Sequence, residues 1–376
     1  MISVWEKETF FAPQDIIIAG SGFVGLWSAF YLKKRNPALK ITILEKGLIP
    51  TGASTRNAGF ACFGSLTELL ADEQKMGTDK MLQLVEMRYK GLEKIRNTFQ
   101  ERDIDMEMCG GYELFAKDEH YLSDDLIEKI DYLNELLKPV VQGKTYRLAD
   151  KKINDLGFAS LGHLIRNNLE GYLHSGKLIT ALLYAIQTKG VQVINNIEIK
   201  SFEKVNNRVQ IETGNGIQFS AGQLLICTNG FAKTLLPDLD VEPARGQVLL
   251  TSPINDLPWK GTFHYKQGFY YFRNLGKKIL LGGARNLAMQ DEKTFSLDTS
   301  ENIQQELERF LKEVIIPRKK FSVELRWSGT MGVGNEKMPV HQEISPGVFC
   351  CVRMSGMGVA LAPLLGEKTA KMMTGR

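Results

Sequence analysis

The chain is poor in residues that staple or metallate a protein. Its five cysteines (Cys62, Cys109, Cys227, Cys350, Cys351) show no C-x-x-C spacing and no even framework. That speaks against a disulfide scaffold and for reduced thiols in a cytoplasmic protein. The adjacent Cys350 and Cys351 read as strand core. His163, His174, His264 and His341 have no partners at metal-ligand spacing, so no metal is expected, and His174 and His341 read as structural. An excess of one charge sign is also missing. Lysine and arginine number 47 against 43 acidic residues, a net of +4 with no basic run, too little to imply nucleic acid or a membrane surface as partner. Residues 16–32 carry no charge, but they are short and broken by glycine, which argues against a membrane span. Glu6, Lys7 and Glu8 precede any apolar segment, unlike a signal peptide, and nothing repeats at solenoid periods. What is present is a globular composition, 43% hydrophobic and 24% charged over 376 residues, long enough for two domains.

The most informative stretch is near the N-terminus. Ile16, Ile17, Ile18 and Ala19 form the apolar run of a parallel strand buried on both faces. Gly20, Gly22 and Gly25 then give the spacing G-x-G-x-x-G, with Ser21 and Phe23 between them. In that pattern the first glycine permits a tight turn, the second lets backbone approach a pyrophosphate, and the third lets the helix pack on the strand. The helix over residues 23–34 points its N–H groups and positive dipole end at the phosphates. Residues 41–44 form the next strand. Glu45, with Lys46 after it, stands 20 residues beyond Gly25, where a carboxylate accepts ribose hydroxyls. These residues define a site for an ADP-containing dinucleotide, NAD or FAD.

Residues 47–64 are small, polar and glycine-rich without amphipathic period, and a long irregular loop of this kind is usually functional. Ser54, Thr55, Arg56 and Asn57, followed by Ala58 and Gly59, offer donors suited to a diphosphate and a polar ring edge. Helices are expected over 66–100, 122–137 (with Ser123 as cap), 177–189, 300–314 and 359–373, and strands around a turn over 103–116. Residues 191–194 and 224–230 read as strands returning to the parallel sheet, 209–219 as a hairpin, and 248–282 as an antiparallel region.

The N-terminal strand–helix–strand unit with Glu45, the 52–59 loop, Thr228-Asn229-Gly230, Trp327-Ser328-Gly329, Met338-Pro339-Val340 and the run from Arg353 to Pro363 together resemble FAD-binding oxidoreductases of the D-amino-acid oxidase and glycine oxidase type. The resemblance covers most of the chain. It implies an α/β fold, with a Rossmann-like FAD-binding domain (1–100, 146–240 and 326–376) and a second, antiparallel-sheet α+β substrate domain (101–145 and 241–325), the chain crossing between them. It implies noncovalent FAD, with its ADP on the first unit and Ser54 to Gly59 near pyrophosphate and flavin. Ile199 would lie at the adenine, and Thr228, Asn229 and Gly230 would close over the dinucleotide. Arg353, Gly356, Met357, Gly358 and Val359 would bring a helix N-terminus to the flavin. The implied chemistry is oxidation of a C–N bond in an amine or amino acid: hydride goes to the flavin N5, and water hydrolyses the imine.

Three positions depart from the family pattern. Met331 stands where an arginine would clamp a substrate carboxylate, residues 328–338 hold no cysteine for covalent flavin, and Leu280 stands where a lysine would activate oxygen. The electron acceptor, oxygen or another, is therefore open. Arg245, Arg273 and Arg353 are substitutes for the missing arginine. Tyr270 and Tyr271 alternate on a strand, so one faces the flavin cavity and the other the core or the surface; Tyr270 is the substrate candidate. Alternative readings are an enzyme of the same fold acting on a bulky or macromolecule-attached amine, a catalytically silent flavoprotein, and an NAD-dependent dehydrogenase. The last leaves the 54–59 loop and the C-terminal glycines unexplained.

Overall fold

The computed structural model describes residues 1–117 and 125–375. Two eight-stranded sheets organise it. Across the first, the strands run Val340–Ser345, Val348–Val352, Gln218–Ile226, Gln14–Ala19, Ile41–Leu44 and Gln192–Ile194. From Val348–Val352 through Gln192–Ile194 the neighbours are parallel. The outer half of Gln218–Ile226 carries an antiparallel hairpin of Arg208–Thr213 and Ile199–Val205. One strand thus unites the hairpin arm and the buried strand that the sequence pattern separates.

Helices Phe23–Arg35, Thr78–Thr98, Ser175–Gln187 and Gly358–Thr374 contribute one core that includes Trp27, Leu84, Val85, Leu178, Leu182, Leu361 and Leu365. Residues 66–100 are helical as expected and divide into two helices, Leu66–Met76 and Thr78–Thr98. The break is Gly77, whose φ of +83° leaves helical space. Ser123 and the other residues at the start of the expected 122–137 helix lie outside the described residues; the described helix is Leu126–Leu137.

The second sheet runs Val323–Val333, Glu242–Thr251, Lys278–Gly283, Tyr270–Leu275, Thr262–Tyr265, Gly111–Ala116, Leu161–Asn167 and Tyr146–Leu148. It is antiparallel except where Thr262–Tyr265 runs parallel to Gly111–Ala116. Its membership shifts the expected boundaries. Residues 146–167 and 323–333 pair into this sheet, so limits at 145/146 and 325/326 cut through it. Residues 103–109 are not a strand: Glu101–Asp103 is a 3₁₀ turn, and Glu107 makes a single bridge to Tyr172.

The two faces of the second sheet differ in chemistry. The outer face, with Tyr112, Leu114, Leu164, Phe263, Tyr270, Phe272 and Leu281, packs on Ile303, Leu307 and Phe310 of helix Glu301–Phe310. The inner face meets the first domain and is mixed. Successive strand partners place Trp327, Val248, Gly282, Tyr271, His264 and Glu113 in one row. Leu250, Leu280, Arg273, Thr262, Gly111, Asn167 and Tyr146 form the next. Polar residues buried on one face of a sheet whose other face is apolar mark where function, rather than packing, chose the side chains.

Candidate cofactor and substrate site

The glycine turn lies at the carboxyl end of the central strand, where ligands of open parallel sheets bind. Gly20 has φ +98°, and a Cβ on Gly25 would sit 2.1 Å from the Gly20 carbonyl oxygen, so the helix can start here only with glycine at both places. Ser54 Oγ accepts from the Phe23 N–H at 2.9 Å, which ties the 53–59 loop to the helix N-terminus. Glu45, 8% exposed, accepts from the Ser21 N–H (2.9 Å) and hydroxyl (2.7 Å) and from the Gly47 N–H (2.9 Å). Its carboxylate is thereby fixed beside the turn. Lys46 pairs with Glu198 at 2.8 Å, and Ile197 N–H donates to the Glu45 carbonyl at 2.9 Å, which brings the start of strand Ile199–Val205 to the same edge.

The 53–59 loop spends part of its polarity on its own shape. Thr55 donates to the Pro50 carbonyl at 2.5 Å, and Asn57 donates to the carbonyls of Ala53 and Ser54 while accepting from Gly59 N–H and the Ser175 hydroxyl. These two side chains hold the loop, unlike the diphosphate donors the sequence suggests. Arg56 donates to the Ser328 carbonyl and Trp327 Nε1 to the Arg56 carbonyl, each at 2.9 Å, which docks the loop on strand Val323–Val333.

Two further turns meet through Asn229. Its Oδ1 accepts from the N–H groups of Arg353 (3.1 Å) and Met354 (3.2 Å), joining the Thr228–Gly230 turn to the segment before helix Gly358–Thr374. Ala232 and Gly230 are buried there. The helices starting at Phe23 and Gly358 both lack an acid in the first turn and a capping side chain of their own. Their N–H groups and positive ends face the space between these turns. Thr228 Oγ1 and Thr330 Oγ1 are buried nearby with no partner among the described residues.

Of the substrate candidates, Arg245 is a salt-bridged strut. Its Nε and Nη2 each donate to Glu292 at 2.8 Å, and Nη1 to the Asp298 carbonyl. Arg353 likewise donates to the Met338 carbonyl and to Asp240. Both guanidinium groups are committed within the fold, which overturns the expectation that either is free for substrate. Tyr270 points the wrong way: it lies in the outer core, donates to Glu306 at 2.7 Å and packs on Phe310. Alternation gives the inner position to Tyr271 instead. Arg273 is 4% exposed, donates to the Gly59 and Leu173 carbonyls and lies 4.4 Å from the Tyr172 ring. It has no acidic partner among the described residues, and burial pushes its pKa down to about 10. Met331 reaches between the domains. A Cβ on Gly356 would lie 3.5 Å from its Sδ, and one on Gly246 3.3 Å from its Cε and 3.7 Å from the Tyr271 hydroxyl.

Arg285 was not among the arginines singled out by sequence. It follows strand Lys278–Gly283 through Gly283 and Ala284, with φ +130° and +60°, a turn that the pair Gly282-Gly283 signals in the sequence. It is half-buried and forms no hydrogen bond or ion pair among the described residues. Burial lowers its pKa, opposed by the neighbouring Tyr271. The same burial raises the Tyr271 phenol to about 12.

The fold and these turns define a two-domain dinucleotide-binding oxidoreductase. The chain belongs to the FAD dependent oxidoreductase family, whose model matches residues 15–372. A probable oxidoreductase OrdL of Rhizobium meliloti (strain 1021) is 24% identical over 371 residues, 96% of this chain and 83% of that protein. Among solved structures, L-proline dehydrogenase from P. horikoshii superimposes with a TM-score of 0.78 at 18% identity, covering 96% of this chain and 94% of that one. Glycine oxidase from Geobacillus kaustophilus gives 0.78 at 20% identity, covering 97% and 95%. The protein is thus an FAD-dependent enzyme. The residues fit that group: a carboxylate at the turn, two helix N-termini free of acids, and two buried hydroxyls without partners. Among the described residues no helix is long and apolar enough to cross a membrane, and no cluster suits a metal ion.

Proposed function

We propose that the enzyme oxidises the C–N bond of a small amine that carries a carboxylate, an amino acid in the broad sense. The observation that carries this reading is Arg285, a partly desolvated guanidinium with no ion pair among the described residues, since the nearby Glu292 is held by Arg245, beside Tyr271 on the sheet face turned to the cofactor domain. An unpaired buried cation is costly, and a substrate carboxylate removes that cost with two parallel hydrogen bonds. Arg285 thus fills the need that Met331 leaves. The solved relatives support the reading through their names, which specify proline and glycine as substrates.

In the holoenzyme FAD supplies the hydride acceptor. Glu45, Ser21 and the turn at Gly22 would hold its adenosine diphosphate part, and the N–H groups opening helix Gly358–Thr374 would favour negative charge on the flavin ring. Arg285 orients the carboxylate, Tyr271 donates from the same side, and Met331 with Leu280 makes the wall apolar, which excludes water until the imine is released. The test is anaerobic mixing of the holoenzyme with a panel of amines and amino acids. Bleaching of the flavin by a carboxylate-bearing amine, with Arg285→Ala raising KM far more than it lowers kcat, is the expected result. Bleaching by simple amines alone, or none at all, would reject the reading.

A further inference from the structure

The row that carries Tyr271 continues into chemistry the cofactor does not explain. His264 is the strand partner of Tyr271, and Glu113 is the partner of His264, so each step along the row is about 5 Å. Behind them Glu113, Glu170, Tyr146, Asn167 and His264 line a small cavity with about 10 Å³ of room for solvent, enough for one water. Glu170 accepts from the N–H groups of Phe63 (2.9 Å) and Gly64 (3.1 Å). Glu113 accepts from the Ser65 hydroxyl (3.0 Å), the Thr67 N–H (3.1 Å) and the Thr67 hydroxyl. Both ring nitrogens of His264 and Nδ2 of Asn167 are buried without a partner among the described residues. Donors and acceptors of this kind converging on one small polar cavity are what an internal water satisfies.

The charges around the cavity are unevenly matched. Arg88 and Lys337 both pair with Glu68, at 3.3 and 2.9 Å, and Lys337 also pairs with Asp72. Neither Glu113 nor Glu170 has a cation at that range among the described residues. Burial therefore raises Glu113 to about 7 and Glu170 to about 8. Burial also tends to raise Glu68, but Lys337 and Arg88 outweigh it and hold the pKa at about 2. Burial keeps His264 neutral, its pKa lowered to about 4. Tyr146, which lines the same space, and Cys62 are raised well above their ordinary values by burial, so they hold their protons.

We infer that this cavity holds a water linking His264 to Glu113 and Glu170, and that the three residues are the internal acceptor for the proton a substrate ammonium sheds. The inference rests on the C–N oxidation reading above. With the carboxylate on Arg285, the amine lies one row neighbour from His264. The N–H bond breaks and its electron pair stays on nitrogen. One imidazole nitrogen takes the proton, the other releases its own to the water, and an O–H bond forms on Glu113 or Glu170. The neutral amine then gives the hydride of its α-carbon to the two-electron acceptor that bound FAD would supply and becomes the iminium cation. Proton and electron pairs balance without a further reactant, and no group need open to solvent during the step.

Two measurements decide it. Infrared difference titration of the holoenzyme without substrate should show protonated-carboxyl C=O bands fading through about pH 7 to 8. Glu113→Gln and Glu170→Gln, each with flavin absorbance retained as the check on folding, should each delete one component. No such bands, or bands unchanged in both variants, overturn the proton site whatever the substrate is. The second measurement is anaerobic reduction by an amino acid in weak buffer with a pH dye at about pH 8.5, above the values of about 7 and about 8 at which the two carboxyl groups ionise and become able to accept a proton. The wild type should release no proton, and the double variant one per flavin reduced. Equal release overturns the relay. Bands in place with no amine able to bleach the flavin would instead sink the C–N oxidation reading, and the relay's role with it.

Discussion

At the scale of single residues, partners decide which polar group is available. Glu45 and Arg245 are both about 8% exposed, yet one stands at a ligand edge and the other is locked to Glu292. The motif spacing singles out Glu45 because its turn and strand are local, within 25 residues. Nothing in Arg245-Gly-Gln announces an acid 47 positions later. Tyr270 and Tyr271 show a similar limit: alternation separates the two faces, but only the docking of helix Glu301–Phe310 reveals which one is covered. Glu45→Ala removes a carboxylate that accepts three hydrogen bonds around the turn. Charge-assisted bonds are worth about 1.5–3 kcal/mol, so the variant should bind FAD about tenfold or more weakly, read by fluorescence titration of the apoenzyme. An unchanged Kd would mean the ribose lies elsewhere. Phe23 N–H relies on Ser54 Oγ, so Ser54→Ala should loosen FAD in the same assay by a smaller factor, of order 1 kcal/mol.

At the scale of elements, the cofactor half was legible and the substrate half less so. Gln14–Ala19, Phe23–Arg35 and Ile41–Leu44 announce themselves because their contacts are near in sequence. Tyr146–Leu148 and Leu161–Asn167 do not, since they join a sheet whose other strands lie up to some 180 residues away, and a three-residue strand has no period to read. The placement of helix Gly358–Thr374, whose N-terminus opens beside the Thr228–Gly230 turn, depends on close packing invisible in the motif. A Cβ on Gly91 would lie 1.7 Å from the Ala360 carbonyl oxygen, and one on Gly366 2.7 Å from the Trp27 backbone carbon. Gly91→Ala should therefore push the helix outward despite the better helix propensity of alanine. Overpacking of this sort costs about 1–3 kcal/mol. Both a lower Tm and a faster loss of flavin on dilution are expected, whereas Gly190→Ala, whose Cβ meets nothing within 4 Å but whose φ is +80°, should cost stability without touching flavin retention. Equal flavin loss in the two would contradict the helix argument.

At the scale of the molecule, the buried charges set how stability depends on pH, and their signs oppose one another. Glu113 and Glu170 are raised from an ordinary 4.5 to about 7 and about 8 by burial. The folded state therefore holds their protons where the unfolded chain has lost them. Their contribution is complete below about pH 4.5 and is lost as pH rises through 7 and 8. Glu68 runs the other way: Lys337 and Arg88 overcome its burial and hold it at about 2, so its contribution is present above about 4.5 and lost as pH falls toward 2. Burial lowers His264 from 6.5 to about 4, so it too withdraws support on the acid side, below 6.5. Together these groups should put the stability maximum of the holoenzyme in mildly acidic solution and make it fall toward about pH 8. The Glu113→Gln and Glu170→Gln double variant, which keeps the shape but titrates at neither site, should flatten the alkaline side of that curve and leave the acid side as it was. Thermal unfolding with FAD in excess, followed between about pH 5 and about pH 8, tests it. An alkaline slope equal in wild type and double variant would show that the two carboxyl groups are solvated like ordinary ones, and that the polar face of the second sheet is open to bulk solvent.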